Sequence, residues 1–320
     1  MYELNVLANQ LMGGIVNVND FDFERIIGKG GFGEVWYAIH RQSQIKCAVK
    51  KLFMDQMDEI AIEMYVREIK ILADCRHLFL LRLIGFTTEP PFLIVTPFIT
   101  NGSLFDYLLP NSRKPPLSPT NKTLIAMGVA YGMMKLHEKG IIHRDLKSPN
   151  ILLDDRLLPY ICDFGIARES SQDAQLTKDI GTINWMAPEQ MESHTYTNKV
   201  DVYSYGMILY EMISHKIPFE GMKPVKIAKI VLSDGLRPPI PKGEKDIKKL
   251  IETCWRSDPT NRPTFEGIFY NFAVKRIMWK GTETRAIDML LDVIFQDDPE
   301  FRERAIPNIE GYYKKEKKNK

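Results

Sequence analysis

The sequence predicts an α+β protein, with a small β-rich lobe joined near residues 97–101 to a larger, mostly helical lobe. Three observations predict it. Residues 21–53 alternate runs rich in Val, Ile, Phe, Tyr and Trp around a glycine cluster. A single helical pattern follows at 56–73, and beyond residue 100 long helical patterns alternate with loops.

In order, FDFERIIG, EVWYAIH and IKCAVKKLF read as strands, the first two joined through KGGFG by a tight glycine turn. QMDEIAIEMYVREIKILA (56–73) sets Ile60, Met64, Ile69 and Leu72 near helical spacing, which predicts the one helix of this lobe. LLRLIGF (80–86) and PFLIVTPFI (91–99) supply two further strands. TLIAMGVAYGMMKLHEKG (123–140) predicts a long helix with a C-cap at Gly140. KVDVYSYGMILYEMISH (199–215) is apolar almost all round, which predicts a buried central helix. RAIDMLLDVIF (285–295) is helix-like and expected to pack on the large lobe, while the final KKEKKNK reads as a solvated, disordered terminus.

Composition narrows the function classes. Among 320 residues, 43 Lys+Arg against 41 Asp+Glu leave a net charge of +2, so there is no broad electrostatic case for nucleic-acid binding. Hydrophobic residues at 44% and charged residues at 26% exclude wholesale disorder and allow a sizeable core. Cys47, Cys75, Cys162 and Cys254 are scattered without a CxxC pair, which indicates neither a disulfide framework nor a zinc site and suits a reduced compartment. No apolar run reaches the roughly 18–20 residues a membrane helix needs. The N-terminus, with Glu3 and no basic stretch, is a poor signal peptide. The expectation is a soluble cytoplasmic protein.

Gly28, Gly30 and Gly33 form G-x-G-x-x-G, followed by Val35. Alone, this pattern fits an ordinary hairpin as well as a phosphate-binding loop, and it also opens dinucleotide-binding units. Those units run from the glycines into a helix, whereas here a β-rich run follows, so a NAD-dependent enzyme lacks its parallel βαβ context. Cys47-Ala-Val-Lys50 lies on the third strand, where a lysine supplies charge for α/β-phosphates if a carboxylate holds it. Glu68 is the natural partner, on the i, i+4 face of apolar Leu72, and Glu63 is the alternative. In His143-Arg-Asp-Leu-Lys-Ser-Pro-Asn150, Asp145 can accept the proton of an attacking hydroxyl, and Asn150 is a neutral oxygen ligand for Mg²⁺. Asp163-Phe-Gly165 adds a carboxylate for Mg²⁺, and Ala187-Pro-Glu189 closes the series. Any one of these occurs by chance; all of them in this order do not.

On these motifs the chain, from about Phe21 to about Phe272, resembles a eukaryotic protein kinase domain. The resemblance implies the bilobal protein kinase fold, with an antiparallel-sheet N-lobe (21–99) carrying one main helix and a mostly helical C-lobe (100–276). An N-terminal extension (1–20) and a C-terminal extension (277–320) flank it. It implies ATP and Mg²⁺ as cofactors and a protein substrate with a Ser/Thr acceptor. Carried over residue by residue, Gly28, Lys29, Gly30, Gly31, Gly33, Val35, Ala48 and Leu152 line the ATP site. Lys50 pairs with Glu68, Asp145 is the base with Lys147 beside it, and Asn150 and Asp163 hold Mg²⁺. Glu189 pairs with Arg262, and Asp201 braces the catalytic loop. Thr96 falls at the gatekeeper position. Pro97 keeps the carbonyl the adenine needs, and Ile99 presents its N–H and C=O.

The subgroup is legible too. Lys147 and Thr182 resemble Ser/Thr kinases, whereas Trp185-Met186, Asp201-Val-Tyr-Ser-Tyr-Gly206 and Cys254-Trp-Arg-Ser-Asp-Pro resemble the tyrosine-kinase-like branch. The reading is a Ser/Thr kinase of that group, similar to mixed-lineage or Raf kinases. A dual-specificity or tyrosine kinase is the alternative, and a nucleotide-binding pseudokinase scaffold is disfavoured because no catalytic motif is lost. Arg144, beside the base, calls for an anionic partner, which Ser170, Ser171 or Thr177 would supply once phosphorylated.

Overall fold

The computed structural model describes residues 2–30, 33–53, 59–165, 167–169, 183–192 and 195–318. The chain divides into two compact units. The first comprises Met1–Arg76, Leu80–Asn101 and Cys162–Ala167; the second comprises His77–Phe79, Gly102–Ile161 and Arg168–Lys320.

The first unit contains α1 (Tyr2–Gln10), β1 (Phe21–Gly30), β2 (Gly33–His40), β3 (Lys46–Leu52), α2 (Glu59–Asp74), β4 (Gly85–Phe86) and β5 (Leu93–Pro97). The strands form one antiparallel sheet in the order β1-β2-β3-β5-β4. Side-chain alternation sends Cys47 and Val49 of β3 into a core with Phe21, Ala38, Leu93 and Val95. Each fully buried aliphatic side chain there contributes about 1.5–3 kcal/mol. The same alternation turns Ala48 and Lys50 to the opposite face. At Gly33, a Cβ would lie 2.4 Å from the Lys51 carbonyl oxygen, so only glycine lets β2 start this close to β3. Helix α2 is pinned by Tyr65, whose hydroxyl lies 2.7 Å from the Thr87 carbonyl and 2.9 Å from that of Leu93. Leu4 and Leu7 of α1 are buried as well.

One predicted strand shrinks. Of residues 80–86, only Gly85 and Phe86 pair in the sheet. Leu80 and Leu81 are buried, but the Leu83 N–H donates to Leu72 at the end of α2 and the Ile84 N–H to Val95. The apolar run is therefore a core-filling connection whose backbone bonds are divided between a helix end and a strand.

The second unit contains α3 (Leu104–Leu108), α4 (Pro119–Glu138), β6 (Ile141–Ile142), β7 (Ile151–Leu153), β8 (Pro159–Ile161) and β9 (Arg168–Glu169). It continues with α5 (Pro188–Glu192), α6 (Lys199–Ser214), α7 (Pro224–Ser233), α8 (Lys245–Cys254), α9 (Phe265–Ala273), α10 (Thr284–Asp297) and α11 (Pro299–Lys318). Ser118 and Asn121 form a capping box at the start of α4, and Gly140, at φ +73°, lies just past its end. The almost wholly apolar α6 is buried along most of its length. It crosses α8 closely at Gly206, where a Cβ would come within 2.9 Å of Cys254 Cβ.

Helix α10 buries Ile287, Leu290, Leu291 and Ile294, as its amphipathic pattern predicts. Phe301 of α11 sits among the rings of Tyr131, Phe269 and Tyr270. Asp298, between the two helices, accepts a hydrogen bond from the Tyr131 hydroxyl at 2.9 Å and pairs with Lys135 at 2.9 Å. The basic terminus departs from expectation: α11 runs on to Lys318, with Glu310 and Lys314 spaced i, i+4 as a 3.6 Å ion pair. No helix among the described residues is long and apolar enough to cross a membrane.

Candidate active site

In the first unit, Lys50 of β3 reaches Glu68 of α2 with Nζ 2.9 and 2.7 Å from the two carboxylate oxygens. The alternative partner, Glu63, pairs with Arg67 one turn along the same helix. Asp163, whose segment belongs to this unit, brings Oδ1 to 3.4 Å from the same Nζ. Burial pulls the Lys50 ammonium down, but the Glu68 and Asp163 carboxylates outweigh it and hold its pKa above the ordinary value. Asp163 sits at φ +64°, a left-handed conformation that costs a non-glycine residue energy and recurs where a side chain must be aimed.

The other predicted nucleotide residues of this unit lie on the sheet and the strand that leaves it. Val35 stands opposite Lys50, Ala48 opposite Thr96, and Cys47 opposite Pro97. Thr96 is buried and its hydroxyl donates to the Ala48 carbonyl at 3.3 Å. Gly28, Lys29 and Gly30 pair with Val35, Glu34 and Gly33 as the two strands of the glycine hairpin. Gly31 lies outside the described residues, and so do Ser170, Ser171, Thr177 and Thr182. Ile99 follows β5 and is half-buried.

In the second unit, the 143–150 loop hangs on Asp201. That carboxylate is fully buried and accepts from the backbone N–H of His143 at 2.9 Å and of Arg144 at 2.8 Å. His137 Nε2 lies 2.9 Å away. Burial alone would raise the Asp201 carboxyl, but the His137 contact, the His143 imidazole and the Arg144 N–H together hold it below its usual value. Arg144, at φ +70°, aims its guanidinium at the Tyr196 hydroxyl and ring. Asp145 is buried. Its Oδ2 meets Lys147 Nζ at 2.8 Å and Asn150 Nδ2 at 3.0 Å, while its Oδ1 has no hydrogen-bond partner among the described residues. A buried carboxylate oxygen left in that state costs energy unless something arrives to donate to it. Leu152, on β7, is half-buried and bridges to Ser103.

Glu189 and Arg262 form a bidentate pair, Nη1 to Oε1 at 2.5 Å and Nη2 to Oε2 at 2.9 Å. Sequence reasoning missed two relationships. One is Tyr196 as the partner of Arg144. The other is Glu211, buried in α6 and bonded to Ser148 and Trp185. A carboxylate well inside a helix apolar almost all round was the available signal for the second.

Taken separately, Asp163 of the first unit has a carboxylate and Asn150 of the second an amide oxygen, each a hard donor of the kind that suits a divalent cation, and the amide nitrogen of Asn150 is fixed on the Asp145 carbonyl and carboxylate.

A family profile described as protein tyrosine and serine/threonine kinase matches residues 21–272. Among curated proteins, the chain is 36% identical over 255 residues to serine/threonine-protein kinase STY46 of Arabidopsis thaliana, covering 79% of this chain and 44% of that one. It is 36% identical over 255 residues to a probable serine/threonine-protein kinase, DDB_G0267514, of Dictyostelium discoideum, covering 79% and 28%. Serine/threonine/tyrosine-protein kinase HT1 of Arabidopsis thaliana is 33% identical over 245 residues, with 75% and 62% covered. The chain spans less than half the length of the first two.

Proposed function

The chain belongs to the protein tyrosine and serine/threonine kinase family, in its tyrosine-kinase-like branch, and we propose that it transfers the γ-phosphoryl group of ATP to Ser/Thr hydroxyls of intracellular, cytoplasmic protein substrates. The observation that carries this reading is the buried Asp145 oxygen without a partner, in a loop hung rigidly on Asp201. A substrate hydroxyl donating to Asp145 Oδ1 satisfies that atom and is oriented for attack at the same time. Lys147, 2.8 Å from the other carboxylate oxygen, holds a positive charge where the transferred group's negative charge must be accommodated.

In the first unit, Lys50 serves the α/β-phosphates, and Glu68 fixes where its ammonium points. Asn150 of the second unit and Asp163 of the first would each offer an oxygen ligand to Mg²⁺, which would supply charge neutralisation on the phosphates. Ala48, Val35, Thr96, Pro97, Ile99 and the glycine hairpin form the adenine and phosphate side of the site. The kinase domain is taken as 21–276, with flanking extensions at 1–20 and 277–320.

Incubation with γ-labelled ATP followed by phosphoamino-acid analysis tests the reading. Phosphoserine and phosphothreonine are expected. Phosphotyrosine alongside them would make the protein dual-specific, an outcome that the neighbouring names HT1 and dual specificity protein kinase splA keep in view. No labelled product under any metal would overturn the reading in favour of a nucleotide-binding scaffold.

A further inference from the structure

Glu211 belongs to α6, whose other residues are mostly apolar and buried, and it is 2% exposed. Its Oε1 accepts from the Ser148 hydroxyl at 2.7 Å, and its Oε2 accepts from the Trp185 indole N–H at 2.7 Å. All three residues lie in the second unit. Ser148 stands in the 143–150 loop between Lys147 and Asn150. Trp185 stands two residues before Ala187-Pro188-Glu189, and its carbonyl is held by the Ser204 hydroxyl at 2.9 Å. One carboxyl thus holds a catalytic-loop residue with one oxygen and the segment preceding Pro188 with the other.

We propose that Glu211 is a positioning residue for protein-substrate phosphorylation, fixing the loop that carries Asp145 and Lys147 in register with the Trp185 segment. The inference rests on the phosphoryl-transfer reading above and adds a residue to it. Burying a carboxyl among apolar neighbours is unfavourable, and burial pushes Glu211 up to about 8 even against the Trp185 and Ser148 hydrogen bonds. Packing alone gives no reason for such a residue, since leucine would fill the same space without that cost. What leucine cannot do is accept from two donors on two different segments. Among the described residues, the carboxyl is hydrogen-bonded to Ser148 and Trp185.

Glutamine has the shape and polarity to replace it. Its carbonyl accepts from Trp185 while its amide N–H donates to the Ser148 hydroxyl. Glu211→Leu keeps the volume and loses both bonds. Using dephosphorylated casein as acceptor, at a temperature where each variant is folded by circular dichroism, Glu211→Leu is expected to lower kcat/KM for casein at least tenfold. The KM for ATP should stay within about twofold, and Glu211→Gln should recover most of the loss. Wild-type casein kinetics in a folded Glu211→Leu variant would overturn the inference, as would a Gln variant no better than Leu.

If the Leu variant does not fold, the same question is put from the partners' side. Ser148→Ala and Trp185→Phe each remove a single bond. Because both end on one carboxyl, the double variant should lose less than the product of the single losses, by about threefold or more in kcat/KM. Strictly multiplicative losses would mean that the two segments are anchored independently, and the inference falls. A wild-type protein that does not phosphorylate casein or itself would remove the phosphoryl-transfer reading and this inference with it. An active wild type with multiplicative losses removes this inference alone.

Discussion

Lys50 Nζ lies 2.7 Å from Glu68 Oε2 and 3.4 Å from Asp163 Oδ1, so a single ammonium, itself mostly buried, is shared by two carboxylates from different parts of the chain. The sharing fixes the ammonium's position more tightly than either partner would alone. Glu68→Gln leaves Lys50 with Asp163 as its ionic partner and draws the ammonium away from α2. Activity should fall roughly 10²-fold, the scale expected for misplacing a positioned group by about an ångström. Steady-state kinetics with ATP varied checks this, with the KM for ATP rising alongside the loss in kcat.

Asp145→Asn keeps the shape of the loop residue and its contact with Asn150 but removes the charge facing Lys147 and the substrate hydroxyl. The protein should fold with an unchanged circular dichroism spectrum and lose about 10²–10⁴-fold in kcat. Near-normal turnover in the purified variant would remove Asp145 from the mechanism.

Asp201→Asn is expected to destabilise the second unit. An amide oxygen replaces one of two carboxylate oxygens, and an N–H₂ is turned toward a backbone donor, so at least one buried hydrogen bond is lost. The loss should approach the about 3–5 kcal/mol seen when a buried charged partner is removed. Because the folded-state pKa of Asp201 is depressed, its contribution is present above the usual carboxylate range and is lost as pH falls through the folded value. Thermal unfolding at pH 7 should separate wild type and variant widely, and the gap should narrow on acidification.

Glu211 has the opposite sign. Its folded value is raised from 4.5 to about 8, so the native state holds a proton that the unfolded chain releases. The stability tied to that proton is complete below about pH 4.5 and is lost as pH rises to about 8. Glu211→Gln removes this dependence. The Tm of wild type relative to the Gln variant should therefore decline steadily from pH 5 to pH 8.

Arg144 already engages the Tyr196 hydroxyl and ring, a neutral partner. A phosphate on Ser170, Ser171 or Thr177 would offer about −1.5 to −2 charge and charge-assisted bonds in its place. Pre-incubation with ATP should raise wild-type activity and leave the Ser170→Ala, Ser171→Ala, Thr177→Ala triple variant unchanged. Equal gains in both would exclude these hydroxyls as the switch.

Much of this was legible in the sequence because phosphate chemistry demands particular residue types in a particular order. The strand period that turns Lys50 away from the core could be read directly, and so could the apolar α6. The long-range pairs that the motifs carry, Lys50 with Glu68 and Glu189 with Arg262, were legible through the resemblance; those outside the motifs were not. Residues 80–84 read as a strand because core burial gives the same apolar run whether or not the backbone pairs. The basic terminus read as disorder because charge runs are usually solvated, yet α11 continues to Lys318, with Glu310 and Lys314 paired one turn apart. Tyr196 had no local signature, and the carboxylate of Glu211 in an apolar helix gave no clue to its partners, since both depend on donors 52 and 63 positions away in the chain.

The segment Cys162–Ala167 has a consequence for the order in which the protein comes together. The chain leaves the first unit at Asn101, builds sixty residues of the second, and only then returns Asp163 to Lys50, a separation of 113 positions. A ribosome making the protein from its N-terminus therefore releases the five-stranded sheet long before its last carboxylate exists. At about 5–20 residues per second the nascent sheet waits several seconds with Lys50 and Glu68 alone. Non-local closure of this kind is slow, and the ionic triad should be among the last features of the first unit to form during synthesis.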